Sequence, residues 1–183
     1  VNEGPLLRAK EHITAHGFDG LIETRQSDGV AKLQVGECDC VVIAGMGGAL
    51  TIKILEEGRA VFQNLKEFIL QPQSELFKVR QYLCQNAYVV MAENMVLEDG
   101  KFYPVMKVVK GENSECNSVE LRYGKLLLLQ KHPVLKELLK KELRIKKEIL
   151  NNLNQESGPH IEARKRELEK ELEEIELALQ RYY

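Results

Sequence analysis

The chain has 183 residues, 44% of them hydrophobic and 30% charged, with a formal net charge of −2. That suits one globular α/β domain with a smaller appendage, and the charge alone points to no nucleic-acid partner. No apolar run reaches the roughly 18 residues a membrane span needs, and no basic start leads into an apolar signal core, so the chain reads as soluble and cytoplasmic.

In chain order, residues 5–16 form the first predicted helix, with Leu6, Leu7, Ala9 and Ile13 on one side and Gly17 as its cap. A short strand is expected at 21–25, then the turn Ser27-Asp28-Gly29. The next strand, 39–44, carries an unbroken Val41-Val42-Ile43, which suits burial on both faces. Gly45-Met46-Gly47-Gly48 ends it, and a helix follows over 49–57 with Gly58 after it. Phe68-Ile69-Leu70 reads as a third buried strand ending in the loop Gln71-Pro72-Gln73, and Ser74 as the N-cap of a helix over 75–86. Residues 88–97 and 103–109 flank Asp99-Gly100, a hairpin turn signal. Three strand–helix units imply a parallel sheet, closed by an antiparallel hairpin at or near its edge, with ligands expected at the carboxyl ends of the strands.

From about residue 119 Gly and Pro nearly vanish, and Leu, Lys and Glu take over. Leu135, Leu138, Leu139, Ile145, Ile149, Leu150 and Leu153 mark one helix; Ser157-Gly158-Pro159 breaks it; Ile161, Leu168, Leu172, Ile175 and Leu179 mark a second with coiled-coil-like spacing. Two such helices make an arm roughly 30 Å long, expected to project with its helices paired only with each other. The boundary divides the chain into 1–118 and 119–183. Residues 130–154 hold seven Lys/Arg, including Lys140, Lys141, Lys146 and Lys147, against three Glu, a net +4 on an acidic chain. Such a helix suits phosphate contact, but on charge alone an ordinary solvated face is the favoured reading. The cysteines, Cys38, Cys40, Cys84 and Cys116, form no CxxC pair and read as reduced thiols, so no metal is expected.

The most distinctive stretch is Ile43-Ala44-Gly45-Met46-Gly47-Gly48: a buried strand delivers a turn almost free of side chains, which a ligand can approach closely. Gly47-Gly48 before a helix also offers backbone N–H groups to an anion. The GxGG spacing matches neither a dinucleotide fingerprint nor a P-loop.

Taken with Gln26-Ser27-Asp28-Gly29, Leu70-Gln71-Pro72-Gln73, the hairpin Glu98-Asp99-Gly100-Lys101-Phe102-Tyr103-Pro104, the leading Gly4-Pro5 and the helical tail, this run resembles the bacterial tRNA (adenine-22-N1)-methyltransferase family along essentially the whole chain. The resemblance implies a Rossmann-like class I methyltransferase sheet with a coiled-coil C-terminal hairpin, S-adenosyl-L-methionine as methyl donor and tRNA as acceptor. By the same resemblance Asp28 and Gly29 lie in the loop that holds the cofactor's adenine. Ala44, Gly45, Met46, Gly47 and Gly48 face the methyl donor and target base, and Gln71, Pro72 and Gln73 line a neighbouring loop. The bland alternatives are a turn aspartate, a tight strand–helix connection and a rigid turn. Tyr103 could stack on the base or be a core or edge tyrosine. Lys140, Lys141, Lys146 and Lys147 would meet the tRNA backbone.

The family opens with a strand and a glycine-rich acidic loop, then an acidic residue after the second strand. This chain begins beyond them, so a fragment or an incomplete gene model is expected, with apolar sheet surface left open. No side chain is assigned as catalytic, because N1 of neutral adenine needs no deprotonation. Two other classes stay open at this point: a nicotinamide-dependent Rossmann oxidoreductase, and a non-catalytic protein whose coiled arm binds a partner. Oligomeric state is likewise open, a monomer included.

Overall fold

A computed structural model of the chain describes residues 3–112, 115–155 and 158–183; Ser157 of the predicted break lies outside them. Its centre is a mixed four-stranded sheet in the order β1-β2-β4-β3, built from β1 (Cys40–Met46), β2 (Glu67–Pro72), β3 (Tyr88–Glu98) and β4 (Lys101–Lys110). β1 and β2 run parallel, while β4 is antiparallel to both β2 and β3. The Asp99-Gly100 turn joins the hairpin with positive φ at both residues, 48° and 74°, the handedness that matches strand twist.

Helices α1 (Glu3–Ala15), α2 (Gly48–Glu57) and α4 (Leu76–Gln85) match the predicted ones closely, with a short α3 (Arg59–Phe62) after α2. Period-2 alternation puts Ile43, Phe68, Leu70, Met106 and Val108 on one sheet face, against Ile54 and Leu55 of α2 and Val79 and Leu83 of α4. Phe68 sits edge-on to both Phe62 and Tyr88, with ring centroids 5.2 Å apart in each pair.

Three expectations are corrected here. Residues 21–25 form no strand: the amides of Leu21 and Ile22 turn back to the Phe18 carbonyl instead of joining a sheet ladder. The parallel part is therefore two strands, β1 and β2. β1 is not buried on both faces either: Val42 is 65% exposed, opposite the core-facing Ile43, and among the described residues the strand pairs on one side only. Ser74 does not cap α4; Glu75 occupies the N-cap position, with φ 51° and no side-chain cap bond.

Beyond the sheet come α5 (Ser118–Tyr123), α6 (Lys125–Leu129), α7 (Pro133–Leu153) and α8 (Pro159–Gln180). A capping box starts α5: the Asn117 side chain accepts from the Glu120 amide, and the Glu120 carboxylate accepts from the Asn117 amide. α7 and α8 pair as expected, but their bases do not pair only with each other. Leu135, Leu139, Ile175 and Ala178 join Val119, Tyr123, Leu127 and Leu128 in a second apolar cluster that reaches Met95 of β3. Among the described residues no helix is long and apolar enough to cross a membrane.

Candidate active site at the strand tips

The turn after β1 is where the sheet's parallel strands end. The β1–β2 register slips between Ala44 and Met46, leaving Gly45 as the extra residue, at φ +74°. A left-handed bulge of this kind favours glycine. The Gly45 amide donates to Gln71 Oε1 at 2.8 Å, and a Cβ on Gly45 would meet nothing closer than Gln73 Nε2 at 3.9 Å. Its other side is open. Gln71 and Pro72 belong to β2, not to a loop, and Gln73 donates its amide to the Met46 carbonyl at 2.8 Å.

Gly48 is closed where Gly45 is open. A Cβ there would sit 2.5 Å from the Ser74 carbonyl oxygen and 2.8 Å from Glu75 Cβ. The Gly48 amide donates to Ser74 Oγ at 3.2 Å and the Ala49 amide to Glu75 Oε2 at 3.1 Å. The Gly48 amide is therefore satisfied from within the chain, which corrects the anion-binding expectation for Gly48; the Ala49 amide next to it is satisfied as well. Lys78, hydrogen-bonded to Glu75, holds the Glu75 carboxyl below its ordinary range, with the Ala49 amide adding to the effect. Glu75 is the residue the sequence reading missed here. Its role comes from a contact across 26 positions, for which no local signal exists.

Tyr103 lies at the same end of the sheet. Pairings Phe68↔Val108 and Leu70↔Met106 run β4 toward residue 104 where β2 stops, and Tyr103 faces Val96 beyond it. By alternation it shares the face opposite α2 and α4, half-buried. It is not a core tyrosine.

Asp28 stands apart. Its carboxylate is 70% exposed and 3.6 Å from Lys53 Nζ, on the fifth residue after Gly48, about 8 Å down the helix axis. Among the described residues no hydrogen bond or ion pair joins it to the turn. Gly29, at φ +52°, packs its Cα side against Ile54.

The four lysines also separate. Lys141 Nζ donates to the Gly100 carbonyl at 3.3 Å and lies 5.3 Å from the Phe102 ring centre, tying α7 to the hairpin tip. Lys140 is exposed and lines a surface cleft with Glu137, Lys141 and Arg144. Lys146 and Lys147 instead pair with α8, Lys146 to Glu171 at 2.8 Å and Lys147 to Glu176 at 3.0 Å. They pair across the two helices of the arm, which the charge count could not reveal.

Residues 1–177 match the family model described as tRNA (adenine(22)-N(1))-methyltransferase. The chain is 34% identical over 128 residues to the Bacillus subtilis tRNA (adenine(22)-N(1))-methyltransferase, covering 69% of this chain and 54% of that relative. It spans about half the length of the curated relatives it matches. Among solved structures, the B. subtilis M1A22 tRNA methyltransferase superposes with a TM-score of 0.85 at 29% identity, over 97% of this chain and 79% of that one. A Streptococcus pneumoniae protein in complex with S-adenosyl-L-methionine does so with 0.85 at 28% identity, over 98% and 78%.

Proposed function

The chain belongs to the tRNA (adenine(22)-N(1))-methyltransferase family, and from that premise we propose that it serves S-adenosylmethionine-dependent methyl transfer to N1 of an adenine in tRNA. The observation that carries this reading is the tip of β1. Gly45 is open on one side, and the Gln71 amide beneath it has its nitrogen buried with no hydrogen-bond partner among the described residues. A buried, orphaned donor beside a cradle that lacks a Cβ fits a polar ligand seated there. Family membership leaves the oxidoreductase and interaction-protein readings without support.

In this reading Ala44, Gly45, Met46, Gly47 and Gly48 line the cofactor side, with Asp28 and Gly29 toward its adenine. Gln71, Pro72, Gln73 and Tyr103 line the side of the target base. The cofactor supplies an electrophilic methyl on its sulfonium. The N1 lone pair of neutral adenine accepts it without a base, so the chain's own work is positioning and exclusion of water. Gly45 admits the reactants to close approach, and Gln71 fixes the Gly45 backbone through its 2.8 Å bond. Tyr103 offers an aromatic face on the same rim, and an adenine paired or stacked in tRNA must be exposed before it reaches that rim.

Residues 1–118 then form the methyl-transfer body and 119–183 the arm that meets tRNA, in the cytoplasm. The apolar cluster under the sheet lies wholly within 1–118, while the one at the base of the helices draws on both parts through Met95. Calorimetric titration with S-adenosylmethionine, followed by mass-spectrometric location of the mark in tRNA, tests the proposal. Cofactor binding and a methyl on adenine N1 are expected; a methyl on another atom, or none, sinks it.

A further inference from the structure

Cys84 on α4 and Cys116, in the irregular segment just before α5, place their sulfurs 3.2 Å apart, 32 positions apart in the chain. A disulfide needs about 2.05 Å between sulfurs, so closing the remaining gap asks for a movement of about an ångström. Cys84 is fixed on a helix. Cys116 belongs to no helix or strand and precedes the Asn117 cap, so the shift falls on the side that can yield. Beside both sulfurs lies a cavity of about 170 Å³, walled mainly by apolar side chains such as Leu83, Val90 and Leu126, with Arg80, Glu93, Glu120 and Lys125 also in its lining. That volume admits a small oxidant.

We propose that Cys84 and Cys116 form an oxidisable dithiol, a modification site at which a hydroperoxide links α4 to the lead-in of α5. The Cys116 thiolate attacks a peroxide oxygen; the O–O bond breaks, leaving a sulfenic acid on Cys116 and releasing the alcohol after proton uptake. Cys84 sulfur then attacks the Cys116 sulfur. The S–S bond forms, the S–O bond breaks, and the hydroxyl leaves as water with the Cys84 proton. Two thiols and ROOH thus give one disulfide, ROH and water, with two electrons passing from sulfur to peroxide. The Cys84 thiol donates its hydrogen bond to the Cys116 sulfur, so Cys84 takes the second role, and burial, then the neighbouring Cys116, push it up to about 12. The bond closes the chain around the β3–β4 hairpin and fastens the start of α5 to α4. In a reducing compartment it is reversible. None of this depends on the methyl-transfer reading.

The test treats the folded chain with hydrogen peroxide, blocks remaining thiols with N-ethylmaleimide, and maps unreduced peptides by mass spectrometry. The expected product joins the Cys84 and Cys116 peptides, two hydrogens lighter than their sum, and dithiothreitol separates them. Cys84→Ser should abolish the link and leave a sulfenic acid on Cys116 that dimedone traps. The proposal is overturned if both cysteines carry maleimide under conditions that oxidise added glutathione, or if the link joins a different pair. The mapping uses the unaltered chain, so a folding defect in the variant does not cloud the answer.

Discussion

At the scale of single residues, the two glycines flanking the turn have opposite reasons for being glycine. Gly45 is required for its backbone angle, Gly48 for its closeness to Ser74 and Glu75. Alanine at 45 meets only the left-handed penalty, on the order of 1 kcal/mol. Alanine at 48 drives a methyl into a carbonyl oxygen and a neighbouring Cβ, an overpacking cost of about 2 to 3 kcal/mol. Urea unfolding of Gly45→Ala and Gly48→Ala should therefore rank the second well below the first, and the reverse order would show that the 74–75 segment does not lie against α2. Glu75 adds a pH signature. Its folded pKa is depressed below the ordinary 4.5, first by the Lys78 hydrogen bond. Its stabilisation is therefore present above the unfolded value and lost as pH falls through the lower folded one. The Ala49 amide proton, bonded to that carboxylate, should shift in an NMR titration with a midpoint below 4.5, and Glu75→Gln should flatten the curve.

At the scale of elements, the joint between sheet and arm holds a buried ion pair beside its apolar cluster. Arg80 of α4 and Glu93 of β3 meet at 3.0 Å with side chains 5% and 2% exposed. Arg80 also donates to the carbonyls of Leu121 and Arg122 at the end of α5, while Glu93 accepts from the amides of Leu126 and Leu127 at the start of α6. Four elements converge on two side chains. Arg80→Met alone leaves a buried carboxylate without its cation and should cost about 3 to 5 kcal/mol. Adding Glu93→Met removes that stranded charge, so the double variant should cost well under the sum of the two single ones; additive losses in denaturant melts would mean the pair is not coupled. None of this was legible in the sequence, since the partners lie 13 to 42 positions apart and neither carries a local signature. What was legible is what local periodicity determines: the Val41-Val42-Ile43 run as a strand, Asp99-Gly100 as a hairpin turn, and the helices α2, α4, α7 and α8. That Val42 is exposed was not, because a strand's burial depends on neighbours its own pattern does not name. Likewise the leucine spacing of α7 announced a helix, but not that Leu135 and Leu139 would pack toward Met95 of β3.

At the scale of the whole molecule, the arm's base, the hairpin tip and the glycine turn share one end of the structure, with Lys141 bridging the first two. A polyanion lying along α7 would thus pass close to the strand tips, and the lysines it meets are those whose charge α8 has not already claimed. Lys140, Lys141 and Arg144 border one cleft. Lys146, only 19% exposed, is held between Glu171 and Glu142, and Lys147 by Glu176. Under the proposed function, reversing charge at the first three should weaken tRNA binding and flatten its salt dependence, by about 0.7 to 0.9 in the log–log slope for each phosphate no longer neutralised. Reversing Lys146 and Lys147 sets like charges facing across the hairpin, so its first effect should be a lower thermal midpoint, with the salt slope nearly unchanged. Filter binding of tRNA across a salt series, paired with thermal melts, separates the two sets. If both triple and double variants flattened the slope equally while melting as the parent does, the pairing of α7 with α8 would not govern which charges reach the RNA.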